Sequence, residues 1–189
     1  MKTIVPMAVI ATCARSIFPA EVNPNQLIAF LSSVYVSDGV VRVHKLATDL
    51  RLDLTKLLPI LNAAEMLGLV KVEKGEVKLS MEGQRIINVK KGKVLELRNS
   101  ISQIEPFMTA LSFKKKFTRE DVAKELAKKG IRWNHEDEDN SLIVNEMLMH
   151  WGIRAGIVDY DGSSFTTHIQ SDTLEACKEY KLAWCLRVI

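Results

Sequence analysis

The sequence has few of the residues that would mark a secreted, metal-binding or membrane-spanning protein. Its cysteines are odd in number and lack Cys-x-x-Cys spacing, so we expect reduced thiols and no zinc site at Cys13, Cys177 and Cys185. No apolar run approaches the roughly 18 residues needed to cross a bilayer. The net charge of +3 is too small to imply nucleic-acid binding by itself, although a local basic stripe could still support it.

The usual catalytic motifs are also missing from the sequence. It contains no Gly-x4-Gly-Lys-Ser/Thr phosphate loop and no Gly-x-Ser-x-Gly elbow, and its four histidines are scattered. The one cluster of a histidine with carboxylates is His135, Glu136 and Asp137, which could hold a metal. An exposed acidic loop that caps a helix is the favoured alternative. We therefore expect no catalytic residue, no metal, no cofactor and a protein that is not an enzyme.

What the sequence does contain is typical of a globular protein. Its 189 residues are 47% hydrophobic and 26% charged, which fits one or two domains with modest cores. Residues 1–16 resemble a secretory signal, with Lys2 before a short apolar stretch. Since nothing further along the chain indicates secretion, we favour a lead-in segment and expect a cytoplasmic protein.

Twice in this sequence a helical pattern runs into a short hairpin pattern. The first copy covers residues 57–80 and the second residues 141–168, and each has an apolar helix followed by a glycine stop, Gly68 or Gly152. Helix, glycine stop and hairpin are typical of a winged helix. The repeat therefore predicts a mainly α protein with small β-hairpin wings, in which tandem winged-helix domains are joined by a long helix.

The predicted organisation follows from helix caps and apolar stripes along the chain. Pro24 and Thr118 indicate helix starts, and apolar residues at helical spacing from Val94 to Ile104 indicate a connecting helix. The segments are a lead-in (1–22), a first winged-helix domain (23–90), a connecting helix (91–105), a second winged-helix domain (106–170) and a C-terminal helix (171–189).

The two helices that would read DNA have unsuitable residues. Such a helix presents Arg, Lys, Asn or Gln to base edges. The first, residues 54–67, contains no arginine and is so apolar that we expect it to be packed on several sides. The second is preceded by four consecutive carboxylates, which would repel phosphate, at Glu136, Asp137, Glu138 and Asp139. A DNA-binding transcriptional regulator is therefore an alternative that the sequence disfavours.

Basic residues gather outside those two helices. They form a possible partner-facing basic patch of Lys90, Lys91, Lys93, Lys114, Lys115 and Lys116. A solvated face, in which lysine stems cover apolar surface, is the first interpretation of this patch. The alternatives are contact with an acidic protein, with anionic lipid headgroups or with phosphate.

Several short motifs match a known family more closely than a general winged helix. They are Leu-Leu-Pro at 57–59, Glu-Met-Leu-Gly-Leu at 65–69, His-Trp-Gly-Ile-Arg-Ala at 150–155 and Val-Asp-Tyr-Asp at 158–161. With these motifs the chain resembles, over roughly residues 24–169, the AAA-associated C-terminal domain. That domain follows the ATP-binding cassette in transport ATPases of the nitrate, sulfonate, taurine and bicarbonate class.

The resemblance implies a regulatory or interaction module whose partner is an ABC transporter ATPase or permease subunit. It also implies a place in the cytoplasm, at the inner face of the membrane if the partner lies there. The cassette that should precede the domain is absent, so the chain is either a standalone relative or one domain of a longer protein, and Met1 favours the former. Homodimerisation through residues 93–104 and 174–189 is a further alternative.

Overall fold

The computed structural model describes residues 17–133 and 139–168. The predicted C-terminal helix over 171–189, residues 1–16 of the lead-in and the carboxylates at 136–138 lie outside these ranges. The described part is mainly helical with small antiparallel sheets, which confirms the predicted fold class. None of the helices within it is long and apolar enough to cross a membrane.

The first half of the chain forms a helical unit closed by a three-stranded sheet. Its strand β3 pairs antiparallel with both β1 and β2, which gives the order β1-β3-β2. The elements are α1 (Pro24–Val36), β1 (Val40–Arg42), α2 (Val43–Leu50), α3 (Leu54–Met66), β2 (Val70–Glu73), β3 (Glu76–Leu79) and α4 (Met81–Asn88). The hairpin of β2 and β3 is the predicted first wing.

Local capping signals set the ends of these helices. Asn23 accepts hydrogen bonds from the backbone N–H groups of Asn25 and Gln26, and the Gln26 side chain accepts one from Asn23 in return. Asp53 caps α3 by accepting a hydrogen bond from the backbone N–H of Lys56. Gly68 ends α3 with a φ of +71°, a backbone conformation that favours glycine, as the sequence predicts.

The region between the two hairpin units differs from the single long helix expected over residues 91–105. It forms two four-residue helices, α5 (Lys93–Glu96) and α6 (Arg98–Ile101). The break falls at Leu97, whose ψ of −2° departs from the helical value of about −42°. Leu97 is buried, as are Val94 and Ile101, so the predicted apolar stripe still enters the core.

The second half of the chain repeats the helix-then-hairpin order with a smaller sheet. The Thr118 capping box with Asp121 begins α8 as predicted. The elements are α7 (Phe107–Ala110), α8 (Arg119–Lys128), α9 (Asn140–Met147), a π-helical turn (Leu148–Gly152), β4 (Val158–Tyr160) and β5 (Phe165–Thr167). Strands β4 and β5 pair antiparallel, and one isolated bridge joins Phe117 to Phe165.

The helical segment ends at Gly152 as predicted, but through a π-helical turn and not through a left-handed glycine. The helix continues through the π-helical turn, and the glycine with a left-handed backbone is Gly156, at a φ of +65°. Gly152 serves packing instead, because a Cβ added there would lie 2.9 Å from Cγ2 of Val158. The missing side chain lets the second hairpin approach the helix closely.

Residues 17–22, which we term the entry segment, connect the two units. The Phe18 ring meets Trp151 edge-on, with centroids 5.3 Å apart. The indole N–H groups of Trp133 and Trp151 donate to the carbonyl oxygens of Phe18 and Val22, each at 2.8 Å. Because Phe18, Val22 and Trp151 are buried with residues of α1 and α3, a continuous core spans both units.

Candidate protein-interaction surface

Helix α3 has one open, apolar side. Leu54 and Leu58 are 51% and 52% exposed, whereas the opposite side is buried through Leu57, Ile60, Leu61, Ala63 and Ala64. The expectation that α3 packs on several sides is therefore wrong for its outer side. This side is the one that a winged-helix protein would offer to a ligand.

A groove of about 560 Å³ runs along this open side. Its walls are α3, the entry segment and strand β2, and apolar side chains supply much of the lining through Ile17, Pro19, Leu58, Leu61 and Val72. Two carboxylates also line it, Glu21 and Glu65, and Glu65 accepts a 3.3 Å hydrogen bond from the Val72 N–H. The groove is therefore apolar with an acidic edge, which suits a protein partner better than phosphate.

The N-terminus of α3 also carries a fixed negative charge. Hydrogen bonds from the Thr55 hydroxyl and the Lys56 N–H hold the pKa of Asp53 below its ordinary value. Asp139 caps α9 by accepting a 3.0 Å hydrogen bond from the Ser141 N–H, and its contacts with Ser141 lower its pKa. Both helices that the sequence predicts in the place of DNA-reading helices thus start with a carboxylate, which repels phosphate.

The first hairpin offers little net positive charge. Glu73 accepts from Lys71 at 2.6 Å and from Lys78 at 3.1 Å, and these contacts lower the pKa of Glu73. The two lysines lie opposite each other in the register of β2 and β3. This geometry is the one expected from the interleaved charges of the sequence, in which glutamates offset the lysines.

The predicted basic patch is divided by its local contacts. Lys93 donates to the Ile87 carbonyl oxygen at 2.8 Å near the end of α4, and Lys116 pairs with Asp161 of the second hairpin at 2.5 Å. These two lysines stabilise the fold. The other four are exposed on the loops that precede α5 and α8, at Lys90, Lys91, Lys114 and Lys115.

A second groove, of about 530 Å³, lies where the two units meet; we term it the junction groove. It runs between α1 and the start of α5, and Arg154 of the second unit closes one side. The Arg154 guanidinium donates to Oδ1 of Asn25 at 2.9 Å. Sequence patterns gave no signal for either groove, because each combines residues from segments that are distant along the chain.

Together, these features define a mainly helical domain with two hairpin units and an open apolar helix. Over residues 17–133 and 139–168, no three His, Cys, Asp or Glu side chains come together as metal ligands. The chain belongs to the C-terminal AAA-associated domain family, whose model matches residues 44–161, from α2 to the second hairpin. Membership in this family implies a partner ATPase. Comparisons with curated proteins and with solved structures found no match.

Proposed function

We propose that this chain is a non-catalytic regulatory module that binds an ABC-type transport ATPase in the cytoplasm. The proposed partner belongs to the nitrate, sulfonate and bicarbonate class. Family membership supports a partner ATPase. The observation that carries the proposal is the outer side of α3, where Leu54 and Leu58 are half exposed beside an apolar groove.

The arrangement of the first unit supports a winged-helix module turned to protein binding. Three helices and a hairpin with a third strand are the parts of a winged helix, and α3 takes the place of its recognition helix. In that place a DNA-reading helix presents Arg, Lys, Asn or Gln to the bases, but α3 is capped by Asp53, has Lys56 as its single cation and carries Glu65 further along. An apolar surface of a partner would instead be matched by Leu54 and Leu58.

Burial of these leucines is large enough to matter for affinity. Complete burial of a leucine side chain stabilises by about 1.5–3 kcal/mol, so covering the exposed half contributes about 1 kcal/mol for each. Because 1.4 kcal/mol corresponds to a tenfold change in Kd, the pair contributes about tenfold or more. Placing a charge at Leu58 would remove this contribution and leave a carboxylate buried in the interface.

The test is recovery of the ATPase with tagged full-length chain from native expression, followed by identification of the ATPase. We expect Leu58→Glu to abolish recovery. Met81→Glu is the matched control, since Met81 is an apolar side chain that is 89% exposed at the start of α4. If Leu58→Glu retained the ATPase as well as the wild-type chain does, the proposed α3 interface would be wrong.

The wild-type chain and its Leu58→Glu variant also test the alternative function, DNA binding. DNA binding would appear as duplex retention at low salt that falls steeply as salt rises, by about 0.9 log units per phosphate contact for each log unit of salt. We expect no retention by the wild-type chain. The outcome that favours a transcriptional regulator has two parts. Both the wild-type chain and Leu58→Glu would retain duplex DNA, and the tagged wild-type chain would recover no ATPase.

A further inference from the structure

The junction groove combines an apolar floor with a cationic rim. Ile28 and Ala29 of α1 and Val94 and Leu95 of α5 supply its apolar lining, and Leu95 is 51% exposed. Its volume of about 530 Å³ lies within the range of about 300–1,000 Å³ usual for ligand clefts. A groove of this kind can hold side chains of a partner segment.

The charged residues that line this groove are cations. Within the described part of the chain, Lys93 and Arg154 line it and no acidic residue does. Exposed Lys90 and Lys91 come directly before Gly92, which also lines the groove. The nearby carboxylate of Glu96 is already engaged, since it accepts from the Arg85 guanidinium at 3.1 Å.

The positive charge at this site is not compensated within the described part of the chain. Arg154 donates to the neutral amide oxygen of Asn25, and Lys93 donates to the neutral carbonyl oxygen of Ile87. No ion pair is recorded there for Lys90 or Lys91 either. Three exposed cations beside an apolar floor, Lys90, Lys91 and Arg154, are therefore open to negative charge from outside the described residues.

We propose that the junction groove binds an acidic segment with apolar side chains from a partner protein. The carboxylates would meet Lys90, Lys91 and Arg154, and the apolar side chains would lie against Leu95. That this segment belongs to the ATPase rests on the proposed function. The contact would bridge both units, because the lining residues come from α1 and α5 and from Arg154, which follows the π-helical turn of the second unit.

A protein segment fits better than a lipid surface or phosphate. A bilayer meets convex or flat surfaces, whereas the apolar floor here lies in a groove between two units. A phosphate group would leave Ile28, Val94 and Leu95 without a contact. The chain's own residues 1–20 are also unsuitable, because they contain no carboxylate.

The test uses a fluorescein-labelled peptide of repeated Glu-Glu-Leu units and the full-length chain, with anisotropy as the readout. We expect the peptide to bind the wild-type chain, and to bind it more tightly at low salt than at high salt, because salt screens the attraction between exposed charges. The double variant Lys90→Glu/Lys91→Glu should weaken binding at least tenfold, and Leu95→Asp should do the same. A Gln-Gln-Leu peptide should bind at least tenfold more weakly than the acidic peptide.

Two substitutions on other surfaces serve as matched controls. Lys124→Glu changes an exposed cation of α8, and Leu142→Asp changes a leucine that is 53% exposed on α9. Both should leave peptide binding unchanged. Thermal unfolding of each variant checks that the fold is retained. Within residues 17–133 and 139–168, the Lys90 and Lys91 side chains form no hydrogen bond or ion pair that their substitution would break.

Three results would overturn the proposal. They are no binding of the acidic peptide, equal loss in the control variants, and equal binding of the neutral peptide. Sedimentation with phosphatidylserine vesicles but no peptide binding would identify a lipid surface as the occupant, and a dimer that Leu95→Asp dissociates would identify a second copy. If the peptide result held but no ATPase were recovered with the tagged chain, only the proposed function would fail.

Discussion

The two hairpin units share a sequence pattern but differ in what covers their helices. The outer side of α3 in the first unit remains open at Leu58. In the second unit, the entry segment covers the π-helical turn after α9, where Trp151 is buried against Phe18 and donates to Val22. The entry segment thus seals one unit and only borders the groove of the other. A repeated pattern therefore does not imply a repeated function.

The hairpins of the two units also differ in their support. In the first, β1 adds a third strand beside β3, and the Lys74-Gly75 turn has φ values of +51° and +78°. The second has two strands, and its support comes from aromatic stacking. The ring centroids of Phe117 and Phe165 lie 5.9 Å apart, and those of Phe113 and Phe117 lie 4.8 Å apart. The third strand of one unit thus corresponds, in the other, to a single bridge of two backbone hydrogen bonds between Phe117 and Phe165 together with aromatic packing.

The largest expected effect comes from opening the sealed unit. Trp151→Ala removes a buried ring and leaves the Val22 carbonyl oxygen without its donor. We expect a loss of about 3–5 kcal/mol in the free energy of unfolding, because large cavities in cores cost this much. Urea denaturation of the full-length variant measures the change.

Two further variants put that loss in context: one separates the hydrogen bond from the buried ring, and the other tests the open unit. Trp151→Phe keeps most of the ring but loses the hydrogen bond, so it should cost about 1–2 kcal/mol. Leu58→Ala, in the open unit, should cost about 1 kcal/mol or less. Equal losses for Trp151→Ala and Leu58→Ala would contradict the contrast between a sealed and an open helix.

The second prediction compares a buried glycine from each unit. A Cβ at Gly83 would lie 2.3 Å from the carbonyl oxygen of Leu69, which is backbone and cannot move aside. Gly83→Ala should therefore destabilise by about 3 kcal/mol. At Gly152 the nearest atom is a methyl of buried Val158 at 2.9 Å, which must shift, but alanine's helix propensity offsets part of this cost, so Gly152→Ala should cost about 1–2 kcal/mol.

Thermal or urea unfolding of the two alanine variants checks this order. Gly68→Ala is a useful third variant because a Cβ there meets no atom within 4 Å, although its φ is +71°. It should cost about 1 kcal/mol from backbone conformation alone. A loss at Gly152 as large as that at Gly83 would show that the hairpin of the second unit cannot adjust.

Local signals of the sequence predicted the parts of the fold that depend on near neighbours. The helix starts predicted at Pro24 and Thr118 are examples, since each signal needs only residues within one helical turn. The role of Gly152 at its helix stop was not predictable, because a glycine needed for close packing looks the same in sequence as a glycine needed for a positive φ. Only contact with Val158, which depends on the hairpin's position, distinguishes the two.

The candidate surfaces were less predictable than the fold. Charge counts along residues 71–78 are enough to show that glutamates accompany the lysines of the first hairpin, because cross-strand neighbours follow from the alternation of strand residues. They did not indicate that Lys116 would pair with Asp161, 45 residues away. The open side of α3 was also missed, because its exposure depends on where the entry segment runs.

The smallest expected effect is a difference in acid sensitivity between the two hairpins. Asp161 accepts from Lys116 and from the N–H groups of Ser163 and Ser164, and these contacts hold its pKa well below the ordinary range. A lowered pKa in the folded state means that the ionised form stabilises the fold. This stability is present above a pH of about 4 and is lost as the pH falls through and below it.

Glu73 in the first hairpin provides the comparison, because lysine side chains alone lower its pKa. Asp161→Asn and Glu73→Gln should each reduce the fall in Tm between neutral and acidic pH, with the larger reduction for Asp161→Asn. About 1 M salt shortens the Debye length to about 3 Å, so it should suppress the Glu73 effect. It should leave much of the Asp161 effect, because salt screens the charge of Lys116 but not the hydrogen bonds that the N–H groups of Ser163 and Ser164 donate. Equal suppression by salt at both sites would show that Lys116 alone accounts for the contribution of Asp161.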